Sequence, residues 1–443
     1  MGLMNYKNLN FIFLLFVLLF IFTSSCSNDD PSNALDNNNE NDNNPNPELE
    51  IAGTIEIYEE SLVDNSYLLV NDASSNRVYL MNKEKAEILH EWNLSARLGN
   101  DAELLPDGTL LAIVESENPN FSFGGFGGVV KIFNPDNTVA WEYEYASDTY
   151  LSHHDVQKLP NGNILFLAWQ KKSAEESIQA GYSLNQETYP ESIIEINPLT
   201  KTIVWEWHSW NHLIQDFDAN KDNFGVISEN PHLIDVNYNL LDNGDIMHAN
   251  GIDYDEVNDL IYISVNFYHE IWVIDHSTTI EESNSHNGGN FNKGGDLIYR
   301  FGNPSAYRNF EGTRLFFNNH FPNILKSSEL CSDLLIFNNG TNNFQSIIYE
   351  LKVSNPPSLL SSFNNEPEIS WNFQHPDLFS PRVSGAVRLS NGNTLIAEGD
   401  YGYWEVTNTG EVVWKFSGNG FYWRGYAYAR DSPALIPYSD FLK

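Results

Sequence analysis

The chain has 443 residues, a formal charge of −37 and an aromatic content of 14%, with 11 Trp. So acidic a surface excludes nucleic acid as the partner, because phosphates need a basic face. Two cysteines in a chain of this length exclude a disulfide scaffold, so the fold must rest on its core.

Residues 1–26 read as an export signal. Lys7 supplies a positive start, and 11–22 is an unbroken apolar run too short to span a bilayer comfortably. Thr23-Ser24-Ser25-Cys26 then sets small residues before a cysteine, which resembles a bacterial lipoprotein signal with Thr23 in place of the usual aliphatic residue. Cys26 is therefore the expected lipidation site, and its acylation leaves Cys331 without a partner in the chain. Residues 27–50 are rich in Asn, Asp and Pro and cannot offset their ordering entropy, so they are expected to form a disordered tether. The protein is expected at the cell surface or in the periplasm, held to a membrane by lipid.

From residue 51 to 443 a phrase returns. An apolar strand carries a Leu-Pro-Asn-Gly-type turn, a second apolar run follows, and the unit closes on Trp-Glu-aromatic. It occurs at Leu105-Pro106-Asp107-Gly108 with Trp141-Glu142-Tyr143, and at Leu159-Pro160-Asn161-Gly162 with Trp205-Glu206-Trp207. A third copy is Leu389-Ser390-Asn391-Gly392 with Trp414-Lys415-Phe416. A period of about 40–65 residues marks a repeat whose units cannot bury their faces alone. The first unit is degenerate, starting at Tyr67-Leu68-Leu69-Val70; the others begin near Ala102, His153, His248, His320 and Ser384. Six strand-rich units predict an all-β, six-bladed β-propeller, its first or last blade closed by strands from both termini. Seven blades is the rival, because residues 50–58 or the C-terminal tail could add strands.

Between the third and fourth units, residues 210–239 read as an insertion with a short helix over 211–217. Its Asp218-Ala219-Asn220-Lys221-Asp222 imitates the start of a calcium loop, yet Asn223 stands where the sharp turn wants glycine, so a solvated acidic loop is expected. Residues 277–295, rich in Asn, Gly and Ser, are expected to be a surface excursion.

In a propeller the innermost strand of each blade lines the central channel, and its entry faces one mouth. The residues at those entries are His153-His154-Asp155, His248-Ala249-Asn250, Asn319-His320 and Arg382-Val383-Ser384. Converging imidazole and guanidinium donors suit a tetrahedral anion such as sulfate, whose oxygens several fixed N–H groups can share. The plain alternative is that each His tops a strand and bonds a neighbouring carbonyl. The short spacing His208-x3-His212 lacks a third ligand, so neither metal nor cofactor is expected.

The stretch His248-Ala249-Asn250-Gly251-Ile252-Asp253-Tyr254-Asp255 resembles the His-x-Asn-x-x-x-Tyr-Asp element of bacterial arylsulfate sulfotransferases. The His153-His154-Asp155 entry, Gly294-Gly295-Asp296-Leu297-Ile298-Tyr299-Arg300-Phe301-Gly302-Asn303-Pro304 and the tail Arg424-Gly425-Tyr426-Ala427-Tyr428-Ala429 are similar too. The resemblance implies PAPS-independent sulfuryl transfer from an aryl sulfate ester to a phenol through a sulfated histidine. It puts His320 at the nucleophile, with His248 and His154 as the other catalytic imidazoles and Asn250, Arg382 and Arg424 on the substrate. Two positions depart from the family: Asn266 replaces an arginine, with His269 three residues on, and Asn338 replaces an aspartate. A propeller that only binds a sulfated aromatic or sulfated glycan is the alternative reading.

Overall fold

The recurring phrase is a hairpin turn. In each of the three copies the leucine and the residue four places on close the loop: Leu159 N–H donates to Asn163 O at 2.8 Å, and Gly162 N–H donates back to Leu159 O at 2.8 Å. Gly162, Gly108 and Gly392 all have φ between +83° and +89°, which is why the fourth position is glycine. Each turn joins the innermost strand of a blade to the second.

The computed structural model describes residues 49–361 and 363–442. The signal, Cys26 and the tether up to residue 48 lie outside the described residues. Six antiparallel sheets form the fold. Blade two holds Leu98–Leu104, Leu110–Glu115, Gly128–Phe133 and Val139–Glu144, innermost first, and blade three holds Tyr150–Lys158, Ile164–Gln170, Glu191–Asn197 and Thr202–His208. Blades four, five and six start from the innermost strands Ala249–Asp255, Asn319–Ser327 and Gly385–Arg388. Neighbouring innermost strands touch in sequence around the ring, which closes between Tyr422–Ala429 and Leu98–Leu104.

Both termini complete existing blades. Tyr422–Ala429 is the innermost strand of blade one, beside Ser66–Asp72, and Gly53–Tyr58 is a fifth, outermost strand on blade six. The strands that could have made a seventh blade are used in this closure, so the protein is a six-bladed β-propeller.

The core is six apolar wedges, one between each pair of neighbouring blades. Leu68 and Val70 pack toward blade six, while Tyr67 and Leu69 pack toward blade two. Both faces of a middle strand are therefore buried, and its sequence reads as a continuous apolar run rather than an alternation. The closing tryptophans tie blades together by their indole N–H groups. Trp141 donates to Pro198 O (2.8 Å), Trp205 to Thr278 Oγ1 (3.1 Å), Trp371 to Asn408 O (2.8 Å) and Trp414 to Lys83 O (2.9 Å), each on the following blade.

The insertion differs from expectation. A 3-10 helix covers only Ser209–His212, and Leu213–Ile214 then pairs in parallel with Ile234–Asp235. The Gln215 side chain takes the amides of Phe217 and Asp218 and donates to the Asp218 and Asp222 carbonyls, which folds 215–222 into a loop instead of a helix. Two short helices, Ala174–Gln179 and Ile280–Ser283, were not anticipated; Ser173 with Glu176 and Thr279 with Glu282 close a capping box on each. Cys331 is free and half-buried.

Candidate active site

Every innermost strand except that of blade six carries a bulge at the same height, and that irregularity builds the site. The ladder skips residues 99–101 in blade two, His154 and Asp155 in blade three, and Asn250 in blade four. It skips Phe321 and Pro322 in blade five, and Trp423 and Arg424 in blade one. The backbone is left-handed at Asn100, His154, His248, Phe321, Val383 and Ser384, none of them glycine. Such strain concentrates where a strand must aim a side chain out of its own sheet. In blades three and one it turns His154 and Trp423 toward one another and Asp155 and Arg424 into an ion pair across the channel.

Three imidazoles meet at the mouth. The rings of His154 and His248 are 4.8 Å apart and nearly perpendicular, and the Trp423 indole lies 5.4 Å from His154 and 5.7 Å from His320. Each ring is anchored through Nδ1. His248 Nδ1 donates to Asp245 Oδ2 at 2.5 Å. His320 Nδ1 faces Asn339 Oδ1 at 2.6 Å. The Asn339 amide nitrogen donates to Ser380 O and Val383 O, so its oxygen is the atom that meets the ring, and His320 Nδ1 carries the hydrogen. His154 Nδ1 lies 2.8 Å from His153 Nδ1, and His153 Nε2 lies 2.9 Å from Glu191 Oε2. The three Nε2 atoms make no hydrogen bond among the described residues.

These anchors set different charges. Burial pushes His320 down to about 3, with His248 and Arg424 adding to the effect, so its Nε2 carries a lone pair. Burial also opposes charge on His248, but the charge and hydrogen bond of Asp245 outweigh it and hold this imidazole above its ordinary value. His154 and His153 are driven well down by burial and then by the His248 charge, while burial drives the Glu191 carboxyl well up. With all three neutral, Glu191 donates to His153 Nε2, His153 Nδ1–H donates to His154 Nδ1, and His154 presents Nε2–H to the mouth.

Arg424 departs from the expected role. It is buried, its two terminal nitrogens each donate at 2.9 Å to Asp155, and it lies over the Phe321 ring at 3.9 Å. Asp101 stands 3.6 Å from the same guanidinium. Committed in this way, Arg424 seals the channel rather than facing a ligand. Beyond it is a cavity of about 130 Å³ lined by Glu103, Asp155, Asp253 and Tyr426. Burial raises the Glu103 and Asp253 carboxyls there to about 7 and 6. The carboxyls lie on that side of Arg424 and the imidazoles on the other. Arg382 lies at an exposed position, paired with Asp400 at 3.2 Å and stacked on Phe421, with no contact to the imidazoles.

Asn250 is buried; its Nδ2 donates to Asn319 O at 2.8 Å, and its Oδ1 has no partner among the described residues. The Trp423 indole N–H is likewise buried and unpartnered. At the position of the family arginine, Asn266 Oδ1 accepts from Asn318 Nδ2 at 2.8 Å, and His269 Nδ1 accepts from the Asn318 amide at 2.9 Å. Burial and then Arg314 lower His269 to about 4, so it supplies no charge. Arg314 has no acidic partner among the described residues; it lies over Phe317 at 4.0 Å, on the segment that enters blade five.

The model of the arylsulfotransferase (ASST) family matches residues 63–420. The chain belongs to the arylsulfotransferase family. Membership supports aryl sulfate sulfotransferase activity in general terms, with small-molecule aryl sulfates and phenols as substrates. No curated protein matches the chain. Among solved structures it is similar to a protein of unknown function from Bacteroides caccae, at 13% identity and a TM-score of 0.47 over 82% of this chain and 99% of that one. It is also similar to a periplasmic gluconolactonase of Pseudomonas aeruginosa, at 10% identity and a TM-score of 0.41 over 82% of this chain and 99% of that one. Glu191, Asp245, Asn339 and Trp423 are the neighbours of the imidazoles that sequence reasoning missed. Only Asp245, three positions before His248, stood close enough in the chain to be found.

Proposed function

We propose that this protein transfers a sulfuryl group from an aryl sulfate ester to a phenol, without a nucleotide donor, at the mouth where His320, His248 and His154 meet. The observation that carries the reading is the convergence of three rings, each anchored through Nδ1, whose Nε2 atoms are all free. His320 Nε2, neutral, attacks sulfur as the ester S–O bond breaks. His248, cationic, gives its Nε2 proton to the departing phenolate. The products are the free phenol, neutral His248 and a sulfated His320 whose ring charge lies against Asn339 Oδ1. In the second half the acceptor phenol attacks sulfur, the N–S bond breaks, and His248 takes the phenolic proton.

His154 Nε2–H and the Trp423 indole N–H are donors for the sulfuryl oxygens. The unpaired Asn250 Oδ1 is an acceptor, which suits a phenol hydroxyl and not a sulfuryl oxygen. Phe267, stacked 4.7 Å from His248, offers the aryl ring an apolar wall. The neutral network around Asn266 and Asn318 favours the second reading, a module that binds a sulfated aromatic or sulfated glycan without turnover. Attachment through an acylated Cys26, and a place in the periplasm or at the cell surface, complete the proposal on the strength of the signal sequence.

4-Nitrophenyl sulfate with a phenol acceptor tests it. Release of nitrophenol matched by sulfated acceptor is expected, with an SO3 adduct on the His320 peptide when acceptor is withheld. Binding of the ester without transfer would leave the binding module; His320→Ala and His248→Ala variants that keep full rate would remove both from the chemistry.

A further inference from the structure

A second cluster of imidazoles lies between blades three and four, away from the channel. His212 ends the 3-10 helix that follows the outer strand of blade three, and His286 and Asp296 belong to the excursion within blade four. Their ligand atoms lie within 4.8 Å of one another. His212 is fully buried beside Trp207, the rings parallel at 5.9 Å. Its Nε2 faces the Ser283 carbonyl at 2.9 Å and must donate to it, which leaves Nδ1 as the atom free to ligate. Nδ1 faces Asp296 Oδ1, 2.8 Å away. His286 Nδ1 meets the same oxygen at 2.7 Å, and His232 Nε2 stands 3.9 Å from Asp296 Oδ2.

Two imidazole nitrogens thus converge on one carboxylate oxygen, a geometry that ring protons or a single metal ion can join. We propose that His212, His286 and Asp296, with His232 as a fourth donor, bind one zinc ion. An imidazole that gives its far N–H to a backbone carbonyl and its near nitrogen to a metal is the usual arrangement of a ligating histidine. A set of nitrogens with one carboxylate suits zinc over magnesium or calcium, which prefer oxygen alone. The edge of a tetrahedral zinc site is about 3.3 Å, so the ligands part by about half an ångström as the ion enters. His286 has the freedom to move, with a side chain 58% exposed. Gly295 keeps His212 in place, since a Cβ there would stand 2.5 Å from its Nε2 and 2.0 Å from Ser283 O. His208, the neighbour that the spacing picked out, points instead toward Glu206 at 3.4 Å.

The ion would staple the insertion at 209–247 to the excursion at 276–298, two segments that the blade ladders do not hold. The proposal is independent of the sulfuryl chemistry. Tag-free protein, stripped with a chelator and desalted, is titrated with zinc chloride by calorimetry, and its melting temperature is followed against zinc. About one zinc per chain and a melting temperature that climbs with zinc are expected. His286→Ala, at an exposed position that leaves the fold intact, should weaken binding at least about tenfold, and Asp296→Asn likewise. No zinc uptake and no thermal shift would overturn the site. So would stoichiometric binding that both variants retain.

Discussion

Charge at the mouth is decided by what each imidazole leans on. His248 leans on Asp245 and stays cationic above the pH at which an ordinary imidazole, near 6.5, loses its proton. His320 leans on an amide and stays neutral down to about 3. The first half-reaction needs a cationic His248 and a neutral His320. Its rate constant should therefore be flat through the acid range above the His320 titration and fall on the alkaline side as His248 deprotonates, at a pH above that of an ordinary imidazole. Asp245→Asn removes the charge that raises His248, and the alkaline limb should move to lower pH; a rapid-quench pH profile of nitrophenol release reads both. A limb that stays in place would take the acid role from His248. His154, His248 and His320 were legible in the chain because each stands at a strand entry. Their partners were not, since Glu191 lies 38 residues from His153 and Asn339 lies 19 from His320, and only the sheet register brings them together.

The bulged inner strand is the element that converts a packing repeat into a site. A regular strand would send successive side chains into the two flanking wedges. The bulges of blades three and one instead give one residue each to the mouth, His154 and Trp423, and one each to the axis, where Asp155 and Arg424 lock. Sequence reasoning placed Arg424 on the substrate because a strand entry and a positive charge look the same whether the charge faces out or in. The register shift between Val70 and Asp72 is what turns it inward. Arg424→Ala would leave Asp155 charged, buried and without its cation. Loss of one partner of such a pair costs about 3–5 kcal/mol. Urea unfolding should show that loss as a lower midpoint at unchanged slope, whereas Arg382→Ala, at an exposed pair, should move the midpoint little. The blades themselves were legible from glycine turns and closing tryptophans, which obey local rules. The 211–217 segment was misread as helix because the Gln215 side chain, a contact that no periodicity reveals, takes the amides a helix would have used.

At the scale of the whole molecule, an acidic propeller is asked to admit an anion. The chain's formal charge is −37, and the cavity behind Arg424 adds buried carboxyls along the axis. An aryl sulfate monoanion approaching from a distance meets that field before it meets His248. Salt shortens the reach of the field from about 30 Å at 0.01 M to about 8 Å at 0.15 M, while contacts within the mouth are screened far less. The second-order rate constant for the donor ester should therefore rise with ionic strength, by about 2- to 10-fold over that range. A neutral phenol feels no such repulsion, so discharge of the sulfated enzyme to it should change less than about twofold. Measuring the two half-reactions separately, at several sodium chloride concentrations, distinguishes the long-range field from the site. A donor rate constant that falls with salt would mean that the His248 and Arg314 cations dominate the approach, and the surface charge would then have no part in setting the on-rate.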